Sequence, residues 1–177
     1  MGKAVLISIQ PEWSVLIARG TKTIEIRKTV PRLEPPFKCY IYSTKFKYGE
    51  ILSFPPWKTG KVIGEFICDK ITMSTPGYKN HVATYWELLD GSCMTADELM
   101  DYGQWKFLYG WHISDCYIYD NPMELSQLMR PCKSDIFCEV CAMHREFEDK
   151  CGNKMLTIKR APQSWCYVKE LTEDLSQ

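Results

Sequence analysis

Short segments with two-residue alternation, or rich in β-branched and aromatic residues, recur along the chain and constrain its fold most strongly. Side chains two residues apart lie on the same face of a strand, so each segment predicts a β-strand. The six predicted strands are Val5 to Ile9, Ile24 to Lys28, Lys38 to Tyr42, Lys61 to Asp69, Trp111 to Tyr119 and Trp165 to Val168. Prolines mark the loops that separate the second, third and fourth strands. The pattern predicts an α+β fold that is mainly β, a small mixed sheet or barrel.

Helical patterns are few and short. The segment from Pro11 to Arg19 has apolar residues at helical spacing, a proline suited to the first turn, and Gly20 placed to cap its C-terminus. Thr95 and Glu98 match a capping box and begin a second predicted helix. The segment Asn121 to Glu124 predicts a third, short helix after the fifth strand.

Composition limits the classes of function. The chain has 177 residues and 45% hydrophobic content, which is enough for one core, so residues 1–177 are predicted to form a single domain. With 22 basic and 22 acidic residues, it lacks the overall positive field of a non-specific nucleic-acid binder, so any such contact must be local. No segment resembles a membrane span or a secretory signal, which predicts a cytoplasmic protein without membrane contact.

Three charged residues lie close together between Gly20 and Arg27. Glu25 and Arg27 share one face of the predicted strand, and Lys22 precedes that strand on the turn opened by Gly20. One interpretation is a solvated face with a surface ion pair of little energetic weight. The other is a ligand site, because lysine and arginine offer donors and glutamate offers an acceptor that together suit a polar heterocycle or a phosphate.

The spacing G-x-K-x-x-E-x-R, formed by Gly20, Lys22, Glu25 and Arg27, resembles the signature of the ASCH family, whose domains are similar to the PUA fold. Further segments carry the resemblance along most of the chain: Leu6 to Trp13, Phe37 to Lys45, Trp111 to Asp115 and Arg160 to Val168. The resemblance implies a PUA-like barrel and a module that binds RNA or a modified nucleoside.

The candidate ligand site combines the signature with nearby polar and aromatic residues. Tyr40 and Tyr42 could stack a base, although core packing is the commoner fate of strand aromatics. The resemblance implies that the last strand lies beside the signature. The candidate ligand-binding residues are Lys22, Glu25, Arg27, Tyr40, Tyr42, Ser43, Thr44, Lys45, Gln163 and Ser164.

Two alternatives to a binding module stay open. Some ASCH-like proteins are amidohydrolases for N4-acylated cytidine that use a lysine, a threonine and a glutamate, and the resemblance makes Lys22 the candidate catalytic lysine. Glu25 occupies the position of that threonine, which argues for recognition over reaction. A ribonuclease is a further enzymatic possibility, and a protein-interaction adaptor is the other alternative.

A cysteine-rich segment from about residue 130 to 155 is predicted to be an insertion. Cys138 and Cys141 form a C-x2-C pair, which can chelate one zinc ion when the flanks supply two more ligands. The predicted ligand set is Cys132, Cys138, Cys141 and Cys151, with His144 as a substitute for Cys132. Four protein ligands would make the zinc structural, while the alternative is that these cysteines simply pack.

Overall fold

The computed structural model describes residues 2–45, 59–74, 82–132 and 156–171. The strands are β1 (Lys3–Ile9), β2 (Ile24–Arg27), β3 (Phe37–Ser43), β4 (Lys61–Ser74), β5 (Leu108–Met123) and β6 (Trp165–Lys169). The helices are α1 (Pro11–Ala18), α2 (Val82–Ser92), α3 (Ala96–Gly103) and a short 3₁₀ helix (Leu125–Gln127). Within these ranges no helix is long and apolar enough to span a membrane.

The six strands form one mixed sheet in the order β2-β5-β4-β3-β1-β6. β1 runs parallel to β3, and the other neighbouring pairs are antiparallel. The predicted α+β, mainly β fold is confirmed. In the described residues, however, β2 and β6 are the two edges of the sheet and no backbone ladder joins them, so the sheet is not a fully closed barrel.

All six predicted strands are present, several of them longer than predicted, and two helical regions differ. Helix α2 was not predicted; its tyrosine, tryptophan and glycine are poor helix formers, so it depends on packing Leu88 into the core. The helix predicted from Asn121 is wrong at its start, because residues 121–123 continue β5. Glu124 instead caps the 3₁₀ helix together with Gln127.

Three apolar clusters hold the layers together. The largest lies inside the curved sheet around Trp111 and Phe66. A second, around Tyr40 and Leu128, packs the opposite face of β1 and β3. The third joins β2 and β5 to helices α2 and α3; its buried members are Ile24, Ile26, Leu88, Leu99 and Leu108. This third cluster occupies the isoleucine face of β2 and turns Glu25 and Arg27 the other way.

Candidate functional site

An open cleft of about 870 Å³ lies where the sheet fails to close. The end of β1 and the start of α1 form one side, β2 forms another, and residues 161–164 before β6 complete it. Its volume falls within the usual range for small-molecule sites, about 300–1,000 Å³. The polar and aromatic side chains lining it include Ser8, Glu12, Trp13, Lys22, Glu25, Arg27, Lys28, Thr44, Lys45, Tyr102, Gln163 and Ser164.

The turn after α1 positions Lys22. Gly20 has a φ of +71°, in the left-handed region where glycine is favoured, and its N–H donates to the carbonyl of Ile17. The backbone N–H of Lys22 then bonds to the carbonyl of Leu16, which fixes the turn against the helix. A sequence-local device, a glycine cap, therefore brings the lysine to the cleft.

The Lys22 ammonium has three neighbours. Its Nζ donates to the carbonyl oxygen of Ser92 at 2.7 Å and lies 3.5 Å from Oε2 of Glu25. It also lies 4.9 Å from the centre of the Trp13 ring, within cation–π range. The end of α2 and the start of α1 thus enclose the lysine from two sides.

Arg27 links β2 to the far side of the cleft. Its Nη2 lies 2.9 Å from Oε1 of Glu25 and donates to the carbonyl oxygen of Ser8 at 2.5 Å. Its Nη1 donates to Oγ of Ser164 at 3.5 Å, a long contact. The guanidinium therefore spans the opening between β2, β1 and the segment before β6.

We call Lys22, Glu25 and Arg27 the cleft triad. Their side chains are exposed by only 2%, 8% and 9%, so the interpretation as a solvated surface pair does not hold. Burial lowers the pKa of Lys22, and the charge and hydrogen bond of Glu25 oppose that shift. The cleft lining adds Glu12, Lys28 and Lys45, so it holds four basic and two acidic side chains in a chain of zero net charge.

The structure brings together seven of the ten candidate ligand residues. Lys22, Glu25, Arg27, Thr44, Lys45, Gln163 and Ser164 all line the cleft. Strand β6 pairs with β1, and no described ladder joins it to β2. Its first residue nevertheless lies near the end of the signature, because Trp165 Nε1 donates to Thr29 Oγ1 at 3.0 Å, two residues after Arg27.

The other three candidates lie away from the cleft, which corrects their assignment. Tyr40 and Tyr42 pack in the second apolar cluster, and Tyr40 Oη accepts a hydrogen bond from the N–H of Leu171 at 2.8 Å. Burial raises the pKa of Tyr40 to about 12. Ser43 is fully buried and is likewise absent from the cleft wall. The two tyrosines belong to the core because their face of β3 is covered by apolar residues from outside the sheet, including Leu128 and Ile158.

The sequence analysis did not identify several residues that line the cleft or bind its charged side chains. Trp13 and Tyr102 supply the aromatic walls, while Ser8 and Ser92 contribute carbonyl groups that bind the triad. The apolar spacing of α1 already showed Trp13, but that pattern equally fits a core residue. Ser8 and Ser92 contribute main-chain carbonyl groups, which every residue has, so no sequence pattern could have pointed to them.

The predicted zinc site falls largely outside the described residues. Cys138, Cys141, Cys151 and His144 all lie there, and only Cys132 is described, as a partly buried free thiol. Structural zinc in the segment of about 130–155 stays a prediction. In the described ranges, no three histidine, cysteine or carboxylate side chains group as ligands.

Solved structures of ASCH from Zymomonas mobilis have a similar fold. One aligns with a TM-score of 0.59 and 18% identity, covering 94% of this chain and 88% of that chain. Tyrosine-to-phenylalanine and serine-to-alanine variants of the same protein align at 0.58 with 18% identity, covering 94% of this chain and 91% and 89% of theirs. No family model and no curated protein matches the sequence. The fold expected from the signature is therefore confirmed.

Proposed function

We propose that this chain, which has the fold of ASCH domain proteins, is a PUA-like module that binds RNA or a modified nucleoside in the cleft. The observation that carries the proposal is the cleft triad, because three ionisable side chains are almost fully buried at the wall of an open cavity. Buried charges are costly unless they are paired or serve a function. Here they are paired with one another, and they still border an accessible volume.

The chemistry of the lining fits a nucleotide. Arg27, Lys28 and Lys45 give the cleft a local excess of positive charge suited to phosphate, although the whole chain is neutral. Trp13 and Tyr102 bring aromatic rings to the lining, and a lysine ammonium already lies over each ring, Lys22 at 4.9 Å and Lys28 at 4.7 Å from the ring centres. A base can stack on such a ring from its opposite face or displace the lysine toward its own phosphate. The cleft lies between the start of α1 and residues 161–164, and its volume of about 870 Å³ has room for an unpaired nucleotide.

Binding of short single-stranded RNAs and free nucleosides tests the proposal. Lys22→Ala removes a hydrogen-bonded charge from the cleft and should weaken binding about 10- to 100-fold, since such bonds contribute about 1.5–3 kcal/mol. Ser164→Ala is a milder second variant in the same cleft. Lys70→Ala, a lysine exposed by 57% on β4 and absent from the cleft wall, is the matched control and should bind like the wild type.

Circular dichroism should first establish that each variant is folded. If the folded Lys22→Ala and Ser164→Ala proteins bind RNA and nucleosides as tightly as the Lys70→Ala control, the cleft is not the binding site. If the wild type binds neither ligand class, the module hypothesis fails and the adaptor alternative gains support.

One observation favours an enzymatic alternative, an amidohydrolase for acylated nucleosides. Burial lowers the pKa of Lys22, which is what a lysine general base requires. Glu25 opposes this shift from 3.5 Å away, which is why binding is the first proposal. Release of acetate from N4-acetylcytidine, lost in Lys22→Ala and retained in Lys70→Ala, would establish the enzyme.

A further inference from the structure

In the part of the chain that the structure describes, strand β2 has one backbone edge without a partner strand. Among the described residues it is an edge strand whose one partner is β5, in the register Ile24 to His112 and Glu25 to Trp111. The N–H of Ile113 donates to the carbonyl of Thr23 at 2.9 Å, so that carbonyl points toward β5, while the N–H of Thr23 donates to the carbonyl of Gly91 at 2.9 Å. Because hydrogen-bonded and non-hydrogen-bonded pairs alternate in an antiparallel ladder, Glu25 and Arg27 bond to β5. The N–H and C=O groups of Ile24 and Ile26 therefore point away from β5.

Ile26 presents this free edge to the cleft. Its side chain packs with Leu88, Leu99 and Leu108 on the far face of β2, yet Ile26 lines the cleft between Glu25 and Arg27. Because the N–H and C=O of Ile26 point away from β5, toward the side of β2 where the cleft lies, we take these backbone groups as its contribution to the cleft wall. Of the two outward-facing residues of β2, Ile26 is the one that contributes to the cleft wall.

Neither group of Ile26 has a hydrogen-bond partner among the described residues outside the sheet ladder. Ile26 is only 5% exposed, and buried backbone donors and acceptors in proteins are nearly always paired. A second donor in the same wall is also unsatisfied, since Nε of the buried Arg27 bonds to no described group. The backbone of Ile26 and Nε of Arg27 are thus neighbouring groups in the cleft wall that lack hydrogen-bond partners among the described residues.

We propose that the backbone N–H and C=O of Ile26 read the edge of a planar heterocycle, a base that carries a donor and an acceptor side by side. This inference rests on the proposed nucleotide-binding function and adds the group that selects the base. The complementary pair on one residue matches the base-pairing edge of a nucleobase, where a ring nitrogen lies next to an exocyclic oxygen or amine. Recognition through the main chain leaves Lys28 and Lys45 available for phosphate.

An extended peptide adding to β2 is a different possibility that the geometry disfavours. Strand addition gains affinity from a row of main-chain bonds, but β2 has four residues and only one outward-facing residue at the cleft. The positive excess in the lining also suits a phosphate-bearing ligand better than a peptide backbone.

The test is amide hydrogen exchange by NMR on the intact chain, with the four nucleoside 5′-monophosphates as probes. The best-binding nucleotide should slow exchange of the Ile26 amide about tenfold or more, the effect of adding one hydrogen bond of about 1.4 kcal/mol. The amides of Glu25 and Arg27 already bond to β5 and should change little. They serve as internal controls for any general stabilisation by the ligand.

Matched analogues of that nucleotide complete the design. Methylation of the base-pairing ring nitrogen, N3 of a pyrimidine or N1 of a purine, blocks the edge and should weaken binding about tenfold or more. Methylation at C5 or C8 adds the same group away from that edge and should change affinity less than about threefold.

The outcomes separate the two proposals. Suppose that a nucleotide binds while exchange of the Ile26 amide is unchanged and both methylated analogues bind equally well. Recognition of the base by the Ile26 backbone is then wrong, and the proposed nucleotide-binding function still stands. Binding of none of the four nucleotides overturns both this inference and nucleotide recognition by the cleft. Protection of Ile24 and Ile26 together by an extended peptide, without any effect of nucleotides, would assign the edge to strand addition instead.

Discussion

Two charged clusters on the same part of the sheet use similar residues and differ in burial. The cleft triad has side chains exposed by 2–9%. The second group, here called the outer cluster, consists of Lys70, Thr72, Glu87 and His112, where β4 and β5 face α2. Its lysine, glutamate and histidine are exposed by 57%, 36% and 18%. The comparison shows that the same lysine–glutamate pairing is buried in one place and solvated in the other, depending on whether neighbouring elements cover it.

The outer cluster also lacks the geometry of a nucleophile relay. Thr72 Oγ1 lies 2.7 Å from Nε2 of His112, and Glu87 Oε1 lies 3.7 Å from that same nitrogen. A catalytic triad needs the hydroxyl and the carboxylate on different ring nitrogens. His112 is thus a partly buried histidine of the sheet, and burial together with the charge of Lys70 lowers its pKa.

The largest contrast should come from removing the carboxylate of each cluster. Glu25→Gln leaves Lys22 and Arg27 buried without a counter-charge and should lower the free energy of unfolding by about 3–5 kcal/mol. Glu87→Gln breaks a pair that is largely solvated and should cost about 1 kcal/mol or less. Urea unfolding measures both. Equal losses in the two variants would mean that burial does not distinguish the clusters.

A second contrast concerns pH. The pKa of Lys22 is lower in the folded chain than its ordinary value of 10.5, so between the two values the unfolded chain binds more protons. The free energy of unfolding should therefore gain a contribution that rises with pH in that window, by at most about 1.4 kcal/mol per pH unit. Lys22→Met should remove this contribution, and Lys70→Met should keep it. Identical slopes in both variants between neutral pH and pH 10.5 would contradict the assignment to Lys22.

The smallest expected effect is a difference in salt sensitivity. A double-mutant cycle on Lys70 and Glu87 should give a coupling of about 0.5 kcal/mol at low salt, and 1 M salt should largely abolish it because the Debye length falls to about 3 Å. The same cycle on Glu25 and Arg27 should change little, since that pair is shielded from ions. Comparable loss of both couplings in salt would show that the cleft admits ions freely.

Sequence reasoning succeeded where the physical cause is local. Two-residue alternation located the strands, Gly20 marked the end of α1, and the capping box at Thr95 is present with both of its hydrogen bonds. It failed where packing decided the outcome. Helix α2 depends on burying Leu88, and Tyr40 is assigned to the core by residues distant in sequence that cover its face of β3.

The candidate site divides in the same way. The spacing of Lys22, Glu25 and Arg27 predicted that three charged groups would meet, because a turn and a strand of period two fix their directions. The structure added Trp13 and Tyr102 as aromatic residues of the cleft wall. It also showed that the carbonyl groups of Ser92 and Ser8 bind Lys22 and Arg27, and that Ile26 lies at the unpaired edge of β2. Main-chain groups are the same in every residue, so no sequence pattern could identify them.

The sequence by itself determined which residues form strands and that Glu25 and Arg27 share a face, since alternation and capping act over a few residues. Only the tertiary structure decided that this face is buried. Ser92 and Ser8 lie 70 and 19 residues from the side chains that they bind, Lys22 and Arg27. Such distant elements shield most of the cleft triad from water, and this burial is what distinguishes these three charges from a surface ion pair.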